Sequence, residues 1–423
     1  MIKRPAVFYG WVIVAIAAVT MIPVYGSRHS FSVFFPSILD EFGWSRAGTA
    51  GMYSLNILVY GMVAPIAGGF GARWDPKRVM VLGAVLLGLS TAANALATEL
   101  WHFYVIFGLI MPLGTAFAGW PLLAGAVVNW FSKRRGLVIG LSQMGGGLSF
   151  AFGLFAEWVI TELGWRWAYV VLGGIVVAVL LPLHVLFFHY RPEGKGLRPY
   201  GADAADGAGG PAPTDTPRDW SLRQALATRH LWLLVSSYFL YWGIGCYLVL
   251  AHQVKFAEDV GYSGVFAASI FALFGVCMFL GQSSGFLSDS LGRERTITFA
   301  VALAIGALVA LLSVKDTSQP WLLYAYAVAF GYGTGLYSST MGASTADIFH
   351  GRQFGGVIGL LLAGMGVGGA IGPWLGGYIY DVTGGYVPAF ILCIACFALS
   401  CVSVWVAAPR NAAAVRSARL NYA

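Results

Sequence analysis

The sequence predicts an all-α membrane protein: twelve transmembrane helices in two pseudo-symmetric six-helix bundles. Three observations predict it. Hydrophobic residues make up 58% of the 423 residues and charged ones only 10%, with a mean hydropathy of +0.74, whereas soluble domains carry about 25% charged residues. Apolar runs recur along the whole chain, each near the roughly 20 residues that a helix needs to cross a hydrocarbon core of about 30 Å. The runs also fall into two matching sets of six around one polar segment.

In chain order the expected spans are 8–38, 46–70, 79–98, 101–130, 136–163 and 165–189, then 229–257, 262–287, 296–314, 320–348, 353–380 and 384–408. Helices are required because hydrocarbon offers backbone groups no other partner, and the runs are too long for the alternating strands of a barrel. The first run is too long for a signal peptide and lacks a small-residue cleavage site, so it reads as a span. Residues 1–189 then form one bundle and 229–408 the other. The segment between them, 190–228, contains "YRPEGKGLRPYGADAADGAGGPAPTDTPRDW", which is rich in Gly, Pro, Ala and Asp and reads as a cytoplasmic linker without a core. Residues 409–423 form a tail. The five cysteines, Cys246, Cys277, Cys393, Cys396 and Cys401, all fall in predicted spans and read as packing residues.

The formal charge of +7 does not point to a nucleic-acid partner, because the basic residues alternate between loops. Of 25 Lys and Arg, twenty lie on the side of the termini, only Arg46, Arg166, Lys255 and Lys315 count to the loops opposite, and the one left outside this loop tally is Arg28. By the positive-inside rule both termini are cytoplasmic, which predicts a multi-pass protein of the plasma membrane, the bacterial inner membrane. No phosphate-binding loop or cluster of metal ligands is present in the sequence, so neither an enzyme nor an ATP-driven pump is expected, and no cofactor is implied. Neither tail nor linker could hold a signalling domain. The lipid bilayer is the expected surrounding and a monomer the expected state.

The halves echo each other. "GLVIGLSQMGGG" from Gly136 and "GGVIGLLLAGMG" from Gly355 each open the fifth span of their half, and "GGFGARWDPKR" from Gly68 pairs with "GFLSDSLGRER" from Gly285. Parallel six-helix halves, a linker and this repeat resemble the major facilitator fold, which implies a substrate site near the bilayer midplane between the halves. Gly364, Gly368, Gly372 and Gly376 form a small-residue ridge on the eleventh span, suited to close helix packing and to a contact that slides. "GFLSDSLGRERTI", 285–297, resembles that superfamily's signature loop, which implies a latch at Asp289 with Arg293 and Arg295. The first-half copy has Ala72 where the aspartate belongs. "NWFSKRRGLVIGLSQMGGGLSF", 129–150, and "FYGWVIV", 8–14, resemble signatures of the monocarboxylate transporters and the oxalate/formate antiporters. That resemblance implies an interface role for Lys133, Arg134 and Arg135. It places the family's first-helix lysine at His29, and the eighth-helix aspartate and arginine at Cys277 and Gly281, so those charges are missing here. The eleventh span, "LLLAGMGVGG", has no lysine either.

Arg28 therefore becomes the candidate anion anchor. In a first helix of 8–38 it sits roughly 7–8 Å from the centre at 1.5 Å per residue, where an arginine costs about 2.5–3.5 kcal/mol or more and faces a partner or a wet cavity. Tyr25, Arg28 and Ser32 share one helical face. Two alternatives stay open: a helix that ends near Ser27, with Arg28 at the interface, and a structural pairing of Arg28 with Glu157. His29, Glu157 and His252 are the candidate proton-coupling groups, with His252 equally a gating or boundary residue. Asp347 reads as an interface acid paired with Arg352. Tyr25, Asn56, Tyr60, Gln143, Tyr241, Trp242, Tyr247, Gln282, Tyr332 and Tyr337 are candidate cavity residues whose aromatic character suits an apolar substrate body. The expected function is secondary transport of a small organic anion, a monocarboxylate, by rocker-switch alternating access, with protons as a candidate second partner. The alternatives are a proton-coupled exporter of amphipathic compounds and an organic-anion exchanger without proton coupling.

Overall fold

The computed structural model describes residues 8–70, 75–131, 135–201, 222–349 and 354–411. Its helices are α1 Tyr9–Phe42, α2 Arg46–Ala67, α3 Pro76–Leu96, α4 Leu100–Val127, α5 Val138–Leu163 and α6 Trp165–Phe187 in the first half. The second half holds α7 Arg229–Val260, α8 Gly264–Leu291, α9 Arg293–Leu312, α10 Pro320–Ile348, α11 Gly356–Thr383 and α12 Val387–Ala407. Among the described residues, all but α10 are both long and apolar enough to span a bilayer. The helix α10 has the length, 29 residues, but its sequence is diluted by Gly, Ser, Thr and Tyr.

Local chemistry sets the helix ends. Asp75 accepts from Lys77 N at 3.1 Å, Thr228 from Leu231 N at 3.3 Å and Ser263 from Phe266 N at 3.3 Å, each satisfying a first-turn amide. The signature loop turns at Gly292, whose φ of +89° is one that a side chain would strain. The linker is partly docked: Tyr200 N donates to Trp130 O at 2.9 Å, and the Tyr200 ring packs on Phe8 and Phe131.

The first helix does not stop at Ser27. It continues through a local break at Ser30 to Phe42, which puts Arg28 deep within a 34-residue span. Ser27 and Ser30 return their hydroxyls to Pro23 O and Gly26 O, both at 2.7 Å, so these two serines are satisfied within the helix.

The two bundles meet along α2 and α11, where Gly61 and Gly366 touch backbone to backbone and Gly369 seats Ile57. The ridge of Gly364, Gly368, Gly372 and Gly376 faces elsewhere: it seats Val235, Phe239, Ile244 and His252 of α7, inside its own half. The contact between halves therefore uses the adjacent glycine face of α11. Near the end away from the termini, α5 also packs on α8, with Gly153 against Phe271. Ion pairs reinforce that end: Arg46–Asp259 at 2.6 Å and Lys255–Asp40 at 3.6 Å both join the halves. Asp381 of α11 accepts from the amides of Arg46 and Ala47 at 3.0 and 2.9 Å, capping α2 from across the interface.

Candidate functional site

Arg28 is 3% exposed. Its guanidinium carbon lies 4.9 Å from the ring centre of Tyr25 and 4.8 Å from that of Tyr60, whose hydroxyls are joined at 2.9 Å. Tyr53 from α2 and Tyr247 from α7 lie within electrostatic range and pack on one another edge to face at 6.0 Å. Four tyrosines from both halves thus surround one cation.

Arg28 Nε and Nη1 are buried without a hydrogen-bond partner, and among the described residues no carboxylate forms an ion pair with it. Two cation–π contacts supply about 2 kcal/mol or somewhat more each when desolvated. A buried ion costs several kcal/mol, and each orphaned donor about 1–3 kcal/mol more. The tyrosines therefore compensate only part of the cost, and the surplus favours an anion.

The alternative pairing with Glu157 is not formed. Glu157, 8% exposed, lies at the α5–α8 contact against Gly264. His29 turns away from Arg28: its Nδ1 bonds Ser149 Oγ at 2.9 Å, and its ring stacks on Phe150 at 4.1 Å, at the α1–α5 seam. His252 sits near the end away from the termini, hydrogen-bonded to Pro373 O at 2.8 Å and to Tyr386 OH at 3.2 Å. A carbonyl can only accept, so Nε2 carries the proton and Nδ1 accepts from the tyrosine.

The other candidates divide. Tyr247 and Trp242 extend the cage into the second half, with rings 5.8 Å apart and Trp242 Nε1 donating to Ser338 Oγ at 3.0 Å. A π-helical turn at Phe239–Cys246 precedes Tyr247, a distortion found often at functional sites. Gln143, Gln282 and Tyr332 are half-buried on α5, α8 and α10, and Gln282 Oε1 has no partner. Asn56 is engaged elsewhere: its amide donates to Phe107 O at 2.6 Å, beside a π-helical stretch of α4. Tyr241 and Tyr337 stack at 3.7 Å inside the second bundle, where Tyr337 OH bonds Ser237 at 2.6 Å and Ser400 at 3.1 Å. They are core residues because these hydroxyls satisfy the phenol locally.

The missing charges of α8 have a steric counterpart. Gly281 packs directly on the backbone of Tyr332 and Leu336 in α10, and Cys277 lies beside Gly331, so the two helices approach too closely for a long cation at 281. In the signature loop, Arg293 bridges Asp289 at 2.6 Å and Asp347 at 2.8 Å. Asp347 thus pairs with Arg293, while Arg352, its expected partner, lies outside the described residues, as do Lys133, Arg134, the side chain of Arg135, and Ala72. Arg295 is exposed. Sequence reasoning missed Tyr53 and Met365, whose sulfur lies 3.9 Å from Tyr247 OH. Tyr53 stands seven residues before Tyr60, two turns along one helical face, a signal that could have found it.

Comparison with known proteins agrees with this geometry. The Major Facilitator Superfamily profile matches residues 17–328 and 284–420. The chain is 28% identical over 388 residues to monocarboxylate transporter 13 of Rattus norvegicus, covering 91% of this chain and 85% of that one. It is 29% identical over 417 residues to monocarboxylate transporter 11 of Mus musculus, covering 95% and 88%. A bacterial homolog of the human lysosomal transporter Spinster, in an inward-facing and unoccupied conformation, shares the fold with a TM-score of 0.66 at 17% identity, over 97% of this chain and 98% of that one. A buried interfacial cation, a two-bundle fold and full-length relatives among membrane transporters converge: the chain belongs to the Major Facilitator Superfamily, as a transporter related to the monocarboxylate transporters.

Proposed function

We propose that this protein carries a small organic anion, a monocarboxylate, across the plasma membrane by rocker-switch alternating access, with Arg28 as its anchor. The observation that carries the proposal is the buried guanidinium whose Nε and Nη1 have no partner, at the junction of both halves. Its planar fork matches a carboxylate in two parallel hydrogen bonds. One unpaired cation suits one negative charge; a second carboxylate on the ligand would meet tyrosine and tryptophan. Tyr25, Tyr53, Tyr60, Trp242 and Tyr247 would flank an apolar or aromatic body. The basic loops put the termini in the cytoplasm, so the end closed by Arg46 and Lys255 faces outward. Transport of one anion with one proton is electroneutral and follows the pH gradient. The test is uptake of a labelled monocarboxylate by purified protein in liposomes, with and without an imposed pH gradient. Accelerated uptake with acid outside supports proton coupling, and uptake indifferent to the gradient leaves exchange or facilitated diffusion. No carboxylate uptake, alongside export of cationic amphipaths, would overturn the proposal.

A further inference from the structure

The outward end gathers more carboxylates than it can neutralise. Two cations, Arg46 and Lys255, face Asp40, Glu258, Asp259 and Asp381: Arg46 binds Asp259 at 2.6 Å, and Lys255 lies 3.6–3.8 Å from Asp40, Glu258 and Asp259. The carboxylate of Asp381 is engaged by the amides that start α2. Glu157 is a fifth acid and differs from the rest. It is nine-tenths buried, and among the described residues its carboxylate has neither a cation nor a hydrogen-bond donor. A second carboxylate, that of Glu258 from the opposite half, lies against the same glycine, Gly264. A Cβ placed on Gly264 would collide with Glu157 Oε1 and stand 3.1 Å from Glu258 Oε1, so both carboxylates rest against the same glycine.

We infer that Glu157 and Glu258 form a proton-binding site that exists only while the outward end is closed, and that a proton on this pair holds the end shut. The pair is split between the bundles: Glu157 ends α5 of the first, and Glu258 ends α7 of the second. Closing brings Glu157, which is buried and has no cation among the described residues, against Glu258, which keeps 22% of its side chain exposed and shares Lys255 with Asp40 and Asp259. Two like charges thus meet around one already shared cation and cannot both stay ionised at low cost. Opening separates them and lets water solvate each. The closed state therefore binds one more proton than the open state, and its share rises as the outside turns acid, by at most about tenfold per pH unit for a single proton. The other groups around the pair are already engaged. Arg166 of α6 binds Glu41 at 2.6 Å, Arg46 is held by Asp259 and by Tyr386 OH at 2.6 Å, and His252 of α7 is bonded on both nitrogens. Glu162 on α5 is exposed, and Lys315 and Asp316 lie in the α9–α10 loop. The inference holds whatever the substrate is, since it concerns the empty carrier.

The test uses the full chain in lipid nanodiscs without substrate. Spin labels at Leu163→Cys and Val265→Cys, both exposed and on opposite halves beside the pair, report closure; Cys401→Ser removes the one native cysteine that is not buried. Between pH 8 and pH 5.5 the short-distance population is expected to grow, by up to about tenfold per unit. Glu157→Gln, nearly the same size but uncharged, is expected to give the short distance across the range, which also establishes that it folds; Glu258→Gln is expected to flatten the response likewise. A wild-type distribution that ignores pH, or a Glu157→Gln protein that titrates as wild type does, overturns the inference.

Discussion

Two arginines stand at the interface between the bundles, Arg28 buried and Arg46 partly buried, and their surroundings differ in kind. Arg46, at the end away from the termini, lies 3.6 Å from the ring centre of Tyr380, donates to Asp259 and Tyr386, and starts a helix capped by Asp381. Arg28, deep in α1, also lies over tyrosines, but its surroundings hold no carboxylate in ion-pair range among the described residues, and two of its nitrogens are orphaned. The first is a clamp that completes itself within the protein. The second is a charge that the protein leaves uncompensated, and a carboxylate ligand would complete it.

The comparison breaks most visibly at Arg28. Arg28→Gln removes a charge-assisted pair of hydrogen bonds worth about 1.5–3 kcal/mol each, so carboxylate uptake in liposomes is expected to fall by about a hundredfold or more. Arg28→Lys keeps the charge without the fork and is expected to fall between the two. Next in size is the α2–α11 contact. Gly366→Leu inserts a side chain where Gly61 touches backbone, and overpacking of about 1–3 kcal/mol is expected to lower exchange rates roughly tenfold while leaving equilibrium binding of the anion nearly unchanged. At the clamp, Asp381→Asn weakens a cap worth about 1 kcal/mol. Labelling of a cysteine placed at that end, the one away from the termini, is then expected to rise by about fivefold, with little change in the affinity for the anion. The smallest effect is at Tyr60→Phe, which keeps the ring under Arg28 and removes only the hydroxyl joined to Tyr25. Affinity is expected to drop by less than about tenfold, in line with one neutral hydrogen bond, whereas Tyr60→Leu also loses the cation–π contact and is expected to drop further.

Most of the fold was legible because hydrocarbon leaves the backbone few choices. The expected span 320–348 coincides with a helix, and most other ends differ by a few residues. At the end of α1 a cap sets the boundary: the helix runs on to Phe42 and stops at Gly43, whose φ of +63° lets its amide donate back to Leu39 O. The site was legible in part. Arg28 and Tyr25 share a face as their spacing implies, and Trp242 and Tyr247 lie beside the cage. Asn56, Tyr241 and Tyr337 look the same in sequence, yet their polar atoms meet Phe107 O, Thr334 and Ser237. A tyrosine's partner is a tertiary fact, set by which helix lies opposite. The glycine ridge teaches the same point, because a spacing of four residues announces a close contact without naming the helix that makes it. The role of Arg46 is hidden for a related reason, since in sequence it is a loop charge and its partners Asp259 and Asp381 belong to the other half.

The account turns on whether Arg28 recognises charge. Thermal stabilisation of purified wild type and Arg28→Gln by a monocarboxylate and by its neutral amide measures that directly, because a ligand stabilises the native state in proportion to its binding. The account predicts that wild type is stabilised by the carboxylate and not by the amide, and that Arg28→Gln responds to neither. Equal stabilisation of the two proteins by the carboxylate, or of wild type by the two ligands, would contradict it.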